Sequence, residues 1–372
     1  MEQIINEQTN IIPHVNYREV NDKVFIDSDN NSFIIITDAH LWTRDRKSSI
    51  DYRRECFHFF YQIEDIIDEE LEKGRNVYLI FLGDVFHRSY KYLDEAMQDV
   101  DYFHYLNTKV QGIFSVVGNH EMTYSKNNPF WFLKNKIESK YLRVYTKLEP
   151  KGINNIIMTP DYIVCGNLCF QLNHYSLSVR PCTSDNEYVL SHNTITTSSI
   201  MNNHPEVWNA GYIDFEEERT FEGFKRVYLG HQHELYGTYV YKNVKGGETI
   251  VRNLGSLGRP SSKEIRNDFL KRAIPVIHTM NGNVDSVTEV EIELLAREEC
   301  VNEAVVERQR KMRRIRKAKE IIKNYNPVAD RPIEEVRETF RNFTTATNII
   351  NCCLQDKVDE NYAKIADYLS KM

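Results

Sequence analysis

The sequence predicts an α/β fold in which two mixed β-sheets pack face to face with helices outside them, a four-layer αββα sandwich, followed by a C-terminal helical extension. Three features predict it. The first part alternates short apolar runs with stretches of helical period, the order of parallel strands joined by crossover helices. The middle is dense in strand-like runs. From Glu291 to Tyr325 there is neither Gly nor Pro, and charge dominates.

Phe33–Thr37, Val77–Leu82 and Ile113–Val117 are apolar almost throughout, as in strands covered on both faces. Between the first two, Tyr52–Lys73 places Phe59, Ile63, Ile66, Ile67 and Leu71 on one side of a helix, and Gly74 follows as a stop. Leu93–Lys109 is the second crossover helix. Strands are then expected at Tyr162–Leu172, Tyr188–Leu190, Val227–Leu229, Tyr236–Tyr241, Thr249–Asn253 and Ile274–His278. Glu291–Tyr325 reads as one long helix, and Ile333–Asn342 and Thr345–Lys371 as two more after Pro327 and Pro332. We place a domain boundary there, giving 1–290 and 291–372.

A chain of 372 residues with 41% hydrophobic and 27% charged residues is large enough for a packed core. No apolar run approaches the roughly 18 residues of a membrane span. The polar N-terminus lacks a signal pattern, so a cytoplasmic protein with no membrane partner is expected. Seven cysteines without a C-x-x-C pair read as reduced thiols rather than a disulfide framework or a thiolate zinc site. The net charge of −7 counts against a nucleic-acid binder unless basic charge is concentrated locally.

The apolar runs end abruptly in metal-ligating residue types. Phe33–Thr37 runs into Asp38-Ala39-His40, Val77–Leu82 into Gly83-Asp84, and Ile113–Val117 into Gly118-Asn119-His120-Glu121. Tyr188–Ser191 leads to His192, and Val227–Leu229 to Gly230-His231-Gln232-His233. Ligands of α/β sheets bind beyond the carboxyl ends of the strands, so these ends converge on one crevice. A mixed Asp, Asn and His set without thiolate suits two divalent ions, manganese first, with iron or zinc as alternatives. Two such ions clamp the attacking and leaving oxygens of a phosphoryl displacement, and a histidine beside them protonates the leaving group. His174 and His204 compete with His192, which is preferred because it ends an apolar run as the other ligands do.

In this order the motifs resemble the calcineurin-like metallophosphoesterase superfamily over residues 32 to 280. The resemblance implies that Asp38, His40, Asp84 and His233 hold one metal. Asp84 then bridges to a second held by Asn119, His192 and His231, and His120 is the catalytic residue, as leaving-group acid or transition-state stabiliser. Glu121 stands where the family usually has Asp. Asp38-Ala39-His40-Leu41-Trp42 and Gly83-Asp84-Val85-Phe86-His87 are most similar to the SbcD-type repair and recombination nucleases, although Trp42 replaces their usual Gly. That similarity implies a DNA exo- or endonuclease. By itself, His87 reads as a group on the substrate side or as a loop histidine fixed by a backbone carbonyl, and Trp42 as a base-stacking surface or, more commonly for such a position, as packing. A phosphatase or phosphodiesterase acting on a phosphoprotein or small phosphoester is the alternative. Arg308–Lys323 carries nine Lys or Arg against one Glu. It reads as a solvated helical extension that packs its apolar positions on the body, as a dock for an SbcC-type ATPase, or as a contact to DNA phosphates.

Overall fold

In the computed structural model the described residues are 17–20, 22–27, 29–41, 52–87, 93–123, 130–133, 156–197, 213–233, 236–244, 246–259 and 271–323. The six-stranded sheet is built around β3 (Asn31–Ile36), β4 (Asn76–Phe81), β5 (Gly112–Ser115) and β6 (Ile157–Met158). Its order is β16-β15-β3-β4-β5-β6, with β15 (Lys271–Met280) and β16 (Asn283–Glu293) forming an antiparallel edge. The four central strands are mutually parallel, and Ile36 pairs with Phe81 and Phe81 with Ser115, so β3, β4 and β5 end level with one another. The crossovers are α1 (Tyr52–Glu72) and α2 (Leu93–Lys109).

The eight-stranded sheet has the order β1-β2-β7-β8-β9-β12-β14-β13. Its members are β1 (Tyr17–Val20), β2 (Lys23–Ile26), β7 (Tyr162–Cys165), β8 (Leu168–Asn173), β9 (Glu187–Ser191), β12 (Arg226–Leu229), β13 (Gly237–Lys242) and β14 (Glu248–Asn253). β8, β9, β12 and β14 are parallel, so β9 and β12 also finish side by side, with Ser191 opposite Leu229. A small parallel pair, β10 (Ile195–Thr196) and β11 (Ile213–Asp214), follows β9.

Strand alternation sorts the side chains into layers. Phe33, Ile35, Tyr78, Ile80 and Phe114 from one sheet share a buried cluster with Ile163, Phe170, Leu172, Leu190 and Tyr228 from the other. The sheets therefore pack face to face. On the outer face of the six-stranded sheet, Phe81 meets Phe103 of α2 with ring centroids 5.6 Å apart, and α1 buries Phe59, Phe60, Ile63 and Ile67. On the outer face of the other sheet, Val189, Val227 and Val251 are covered by Phe215, Phe221 and Phe224. The expected architecture of two packed mixed sheets flanked by helices is what the chain adopts.

Several local expectations differ. Tyr162–Leu172 is a hairpin, not one strand: Gly166 (φ +57°) turns the chain between β7 and β8. A Cβ on Gly166 would lie 2.3 Å from the Gly282 Cα, so the tips of the β7–β8 and β15–β16 hairpins can meet this closely only because residue 166 is glycine. The long helix expected from Glu291 is a correction. Val290 and Ile292 alternate with Glu289, Glu291 and Glu293, a period-two pattern that continues β16 to Glu293. A short helix α5 (Arg297–Cys300) and then α6 (Glu303–Lys323) come after it. The short α3 (Asn119–Thr123) and α4 (Phe130–Leu133) and the β1–β2 hairpin were not anticipated. The chain divides into two compact units at Cys300/Val301. The helices expected over 333–342 and 345–371 lie outside the described residues. Among the described residues no helix is long and apolar enough to cross a membrane, and the five cysteines are free thiols.

One buried ion pair fastens the loop after β14 to α1. Arg259, 3% exposed, donates from Nε to Glu55 Oε1 at 2.8 Å and from its backbone N to Glu55 Oε2 at 2.9 Å, and Glu55 is wholly buried. Replacing one member leaves the other charge buried without its partner. Arg259→Leu is therefore expected to destabilise the fold by about 3–5 kcal/mol in urea unfolding followed by circular dichroism, and the double change Glu55→Leu/Arg259→Leu by less than Arg259→Leu alone.

Candidate metal centre

All five strand ends identified from the sequence open at the same place. Beyond β3, the Thr37 hydroxyl shares its one proton between Asp38 Oδ2 at 2.5 Å and the Gly255 carbonyl at 2.9 Å. Asp38 is fully buried, and its carboxylate also accepts the backbone N–H of His231 at 3.0 Å. Beyond β4, Glu121 accepts the backbone N–H groups of Asp84 and Gly118 at 2.9 Å each through Oε2, and that of Phe86 at 3.3 Å through Oε1. It thereby ties the β4 end to the β5 end. A Cβ on Gly118 would lie 2.2 Å from Asp84 Oδ1, so only glycine fits there. Asp38, His40, Asp84 and His231 have φ of +26°, +46°, +46° and +73°, in the sparsely populated left-handed region. Such strain persists only where surrounding contacts over-determine it, and the hydrogen bonds to Asp38 and Asp84 are of that kind.

The side chains form two adjoining groups of donors. In one, His233 Nε2 lies 3.0 Å from His40 Nε2 and 3.4 Å from Asp38 Oδ1. In the other, His192 Nε2 lies 3.3 Å from Asp84 Oδ1 and 3.0 Å from Asn119 Oδ1, and the His192 and His231 rings are 5.0 Å apart. Asp84 reaches both groups, because its Oδ2 is 3.7 Å from His40 Nε2. His192 is fixed from behind, its Nδ1 donating to the Leu82 carbonyl at 2.5 Å. Holding the second ring nitrogen in this way sets which one points into the site.

A third group joins His40, His87 and His120. His87 Nδ1 is 3.2 Å from His40 Nδ1, and the His87 and His120 rings stack at 4.7 Å. His120 donates from Nδ1 to the His87 carbonyl, while its Nε2 faces Asp84 Oδ2 at 3.8 Å. The His120 ring is thus oriented by a backbone carbonyl, and Glu121 serves the backbone instead. His174 is engaged elsewhere. Its Nδ1 accepts the Val117 N–H at 3.0 Å and its Nε2 lies 3.7 Å from Asp161, so it joins none of the three groups. Trp42 and His204 lie outside the described residues. Reading the sequence missed Thr37, the clamp made by Glu121, and Tyr175, whose ring centroid is 5.5 Å from that of His231. Only the hydroxyl beside Asp38 and the Gly preceding Asn119 offered a signal.

The electrostatics follow from burial. Burial would raise the Asp38 carboxyl, yet His192 and His233 bring it down to about 2. Burial likewise opposes charge on Asp84, but His192 and His40 hold it well below the usual carboxylate range. His192 is disfavoured as a cation by burial, and Asp84 and Asp38 outweigh this and raise it to about 9. Burial, reinforced by His192, depresses His231 to about 4. Burial and the Asp84 charge push Glu121 up to about 8. Among the described residues the two buried carboxylates are ringed by imidazoles, a donor set that divalent cations satisfy, and the N and O donors fit them.

A family model for calcineurin-like phosphoesterases matches residues 32–235. Similar solved structures include a 5′-nucleotidase precursor from Thermus thermophilus, 13% identical with a TM-score of 0.37, the match covering 71% of this chain and 54% of that one. Another is the sulfate thiohydrolase SoxB of Thermus thermophilus in complex with glycerol, 10% identical with a TM-score of 0.32, covering 76% and 60%. The chain thus spans between half and two thirds of the length of these structures. No curated protein matches.

The geometry separates His192 from His174, two of the three histidines that compete for one ligand position. His192→Ala is expected to lower metal content from about two ions per chain towards one, measured by plasma mass spectrometry after manganese loading. His174→Ala should leave that content unchanged.

Proposed function

This chain belongs to the calcineurin-like phosphoesterase family, and from that premise we propose that it is a two-metal phosphodiesterase that cuts DNA. The observation that carries the phosphoesterase part is the reach of Asp84, with Oδ1 at His192 and Oδ2 at His40, between two groups of donors. Asp38, His40, Asp84 and His233 would hold one ion, and Asp84, Asn119, His192 and His231 the other, manganese being the ion proposed. Such ions supply Lewis acidity to the phosphoryl oxygens and lower the pKa of water towards neutrality. The chain's own residues supply the rest. His120, with Nδ1 committed to the His87 carbonyl, presents Nε2 to the substrate, and protonates the leaving alkoxide from there as water adds at phosphorus and the P–O ester bond breaks. His87 keeps that ring in place by stacking on it and hydrogen-bonds His40 on the other side.

DNA as the substrate is supported by α6, where Arg308, Arg310, Lys311, Arg313, Arg314 and Arg316 form a dense basic cluster. A cluster of this kind neutralises backbone phosphates irrespective of base sequence. It also answers the net charge of −7, since the basic charge is local. We extend the proposal to a partner, an SbcC-type ATPase docking on the C-terminal helices. The acidic balance of the whole chain favours a second reading, a phosphatase or diesterase for a small phosphoester.

Manganese-loaded protein given single- and double-stranded DNA beside p-nitrophenyl phosphate esters separates the two. DNA cleavage that weakens steeply with salt is expected; brisk ester turnover without any DNA cleavage establishes the second reading instead. His120→Ala is expected to keep its metals and lose about 10²–10⁴ in turnover, whereas Asp84→Asn loses activity together with metal.

A further inference from the structure

Tyr175 has no part in the metal groups, and the structure holds it against them. β8 ends at Asn173, in register with Ser191 at the end of β9, so the Leu172-Asn173-His174-Tyr175-Ser176 segment emerges beside His192. The Tyr175 ring is half-buried, 5.5 Å from His231 at an interplanar angle of 56° and 6.4 Å from His192 at 66°. The segment is fastened on three sides. Tyr175 N donates to the Val117 carbonyl at 2.9 Å, and His174 Nδ1 accepts the Val117 N–H at 3.0 Å. Asn193 accepts the Ser176 N–H at 2.8 Å, and its Nδ2 donates to the His174 carbonyl at 3.1 Å and to Asn173 Oδ1 at 2.7 Å. Ser176 is held at φ +67°, a conformation an L-residue keeps only under such constraint.

These contacts commit a histidine, an asparagine and a strained serine to the placement of one aromatic ring. The hydrogen bonds link the ends of β5, β8 and β9 and leave the tyrosine partly open to solvent beside His231. A half-exposed phenol is rigid and amphipathic, and it offers planar substituents a stacking surface at little conformational cost. We propose that Tyr175 is the surface on which the substrate lays the planar heteroaromatic base attached to the reacting phosphate, whether that base belongs to a DNA strand or to a free nucleotide. The proposal rests on the phosphoester reading above and specifies the substrate class for that site. Stacking on aromatic side chains tolerates any base, because every base has a π face, so this contact recognises a nucleotide without selecting a sequence.

A pair of diesters with the same leaving group, thymidine 5′-(p-nitrophenyl phosphate) and methyl p-nitrophenyl phosphate, tests this on the full-length manganese-loaded chain. The wild type is expected to prefer the thymidine ester. Tyr175→Leu should reduce that preference in kcat/KM about tenfold, chiefly through KM, and Tyr175→Phe should keep it. Calorimetric binding of thymidine 5′-monophosphate to the loaded protein should weaken by a similar factor in Tyr175→Leu, with metal content equal in all three proteins. A preference unchanged in Tyr175→Leu overturns the proposal. So does an equal loss on both esters or a loss of metal, because the ring would then be supporting His231. Oligonucleotides with and without an abasic residue at the scissile position tell a DNA strand from a free nucleotide as the source of the base. Turnover of monoesters alone refutes the diesterase reading separately. Tyr175 is then judged by the same comparison between thymidine 5′-monophosphate and ribose 5-phosphate.

Discussion

Two buried carboxylates of like charge, Asp38 and Asp84, stand near enough to disfavour each other's ionisation, and the structure around them is arranged to keep both ionised. Backbone N–H groups of His231 and His120 donate to them, from beyond β12 and β5 respectively, and imidazoles surround them. None of this is available within a single strand. It requires β3, β4 and β5 of one sheet to end level, and β9 and β12 of the other to end beside them. The inter-sheet core of Phe33, Tyr78, Phe114, Phe170 and Tyr228 sets that relation, since it fixes how one sheet lies on the other. Packing in the core and chemistry at the rim are thus one problem. A one-residue slip in β4 would turn Leu82 and the residues before it to the wrong face and carry Asp84 out of reach of His192.

The strand ends were legible because a buried parallel strand is apolar along its whole length, so the first polar residues beyond it stand out. Asp38, Asp84, Asn119, His192 and His231 are all of this kind. The helices α1 and α2 were legible from their period and from Gly74. β16 was hidden, because an edge strand with alternating Val and Glu has the charge density of a solvent-exposed helix and no Gly or Pro to contradict that. The β7–β8 hairpin was hidden because its turn is only Gly166-Asn167 within an otherwise continuous apolar run. At the site, the apolar run ending in His192 favoured it over His174 but did not show what His174 does instead. What separates them is three-dimensional, namely that Val117 N–H occupies the ring nitrogen of His174. Glu121 was legible as a member of a motif but not as a backbone clamp, since its three acceptor contacts involve main-chain groups with no signature in side-chain identity.

The clamp changes how the tolerance of this site to substitution is understood. A shorter Asp at Glu121 would have to span the same three N–H groups with one methylene fewer, so the local backbone and this side chain have adapted to each other. The same holds for Gly118, whose missing Cβ leaves room for Asp84.

The meeting of Gly166 with Gly282 joins hairpins whose sequences are more than a hundred residues apart, and Asn167 N donates there to the Gly282 carbonyl at 2.7 Å. Contacts of such separation form slowly, because the chain entropy of closing a long loop is lost before the contact returns anything. For a chain emerging from the ribosome, this sets an order of events. Asp38 and Asp84 are synthesised long before His231 and His233, and β15, which covers the free side of β3, comes later still. Of the imidazoles around the carboxylates, His40 and His120 are made with them, and His192, His231 and His233 come later. The complete set of donors is assembled only once the second sheet has closed over the first.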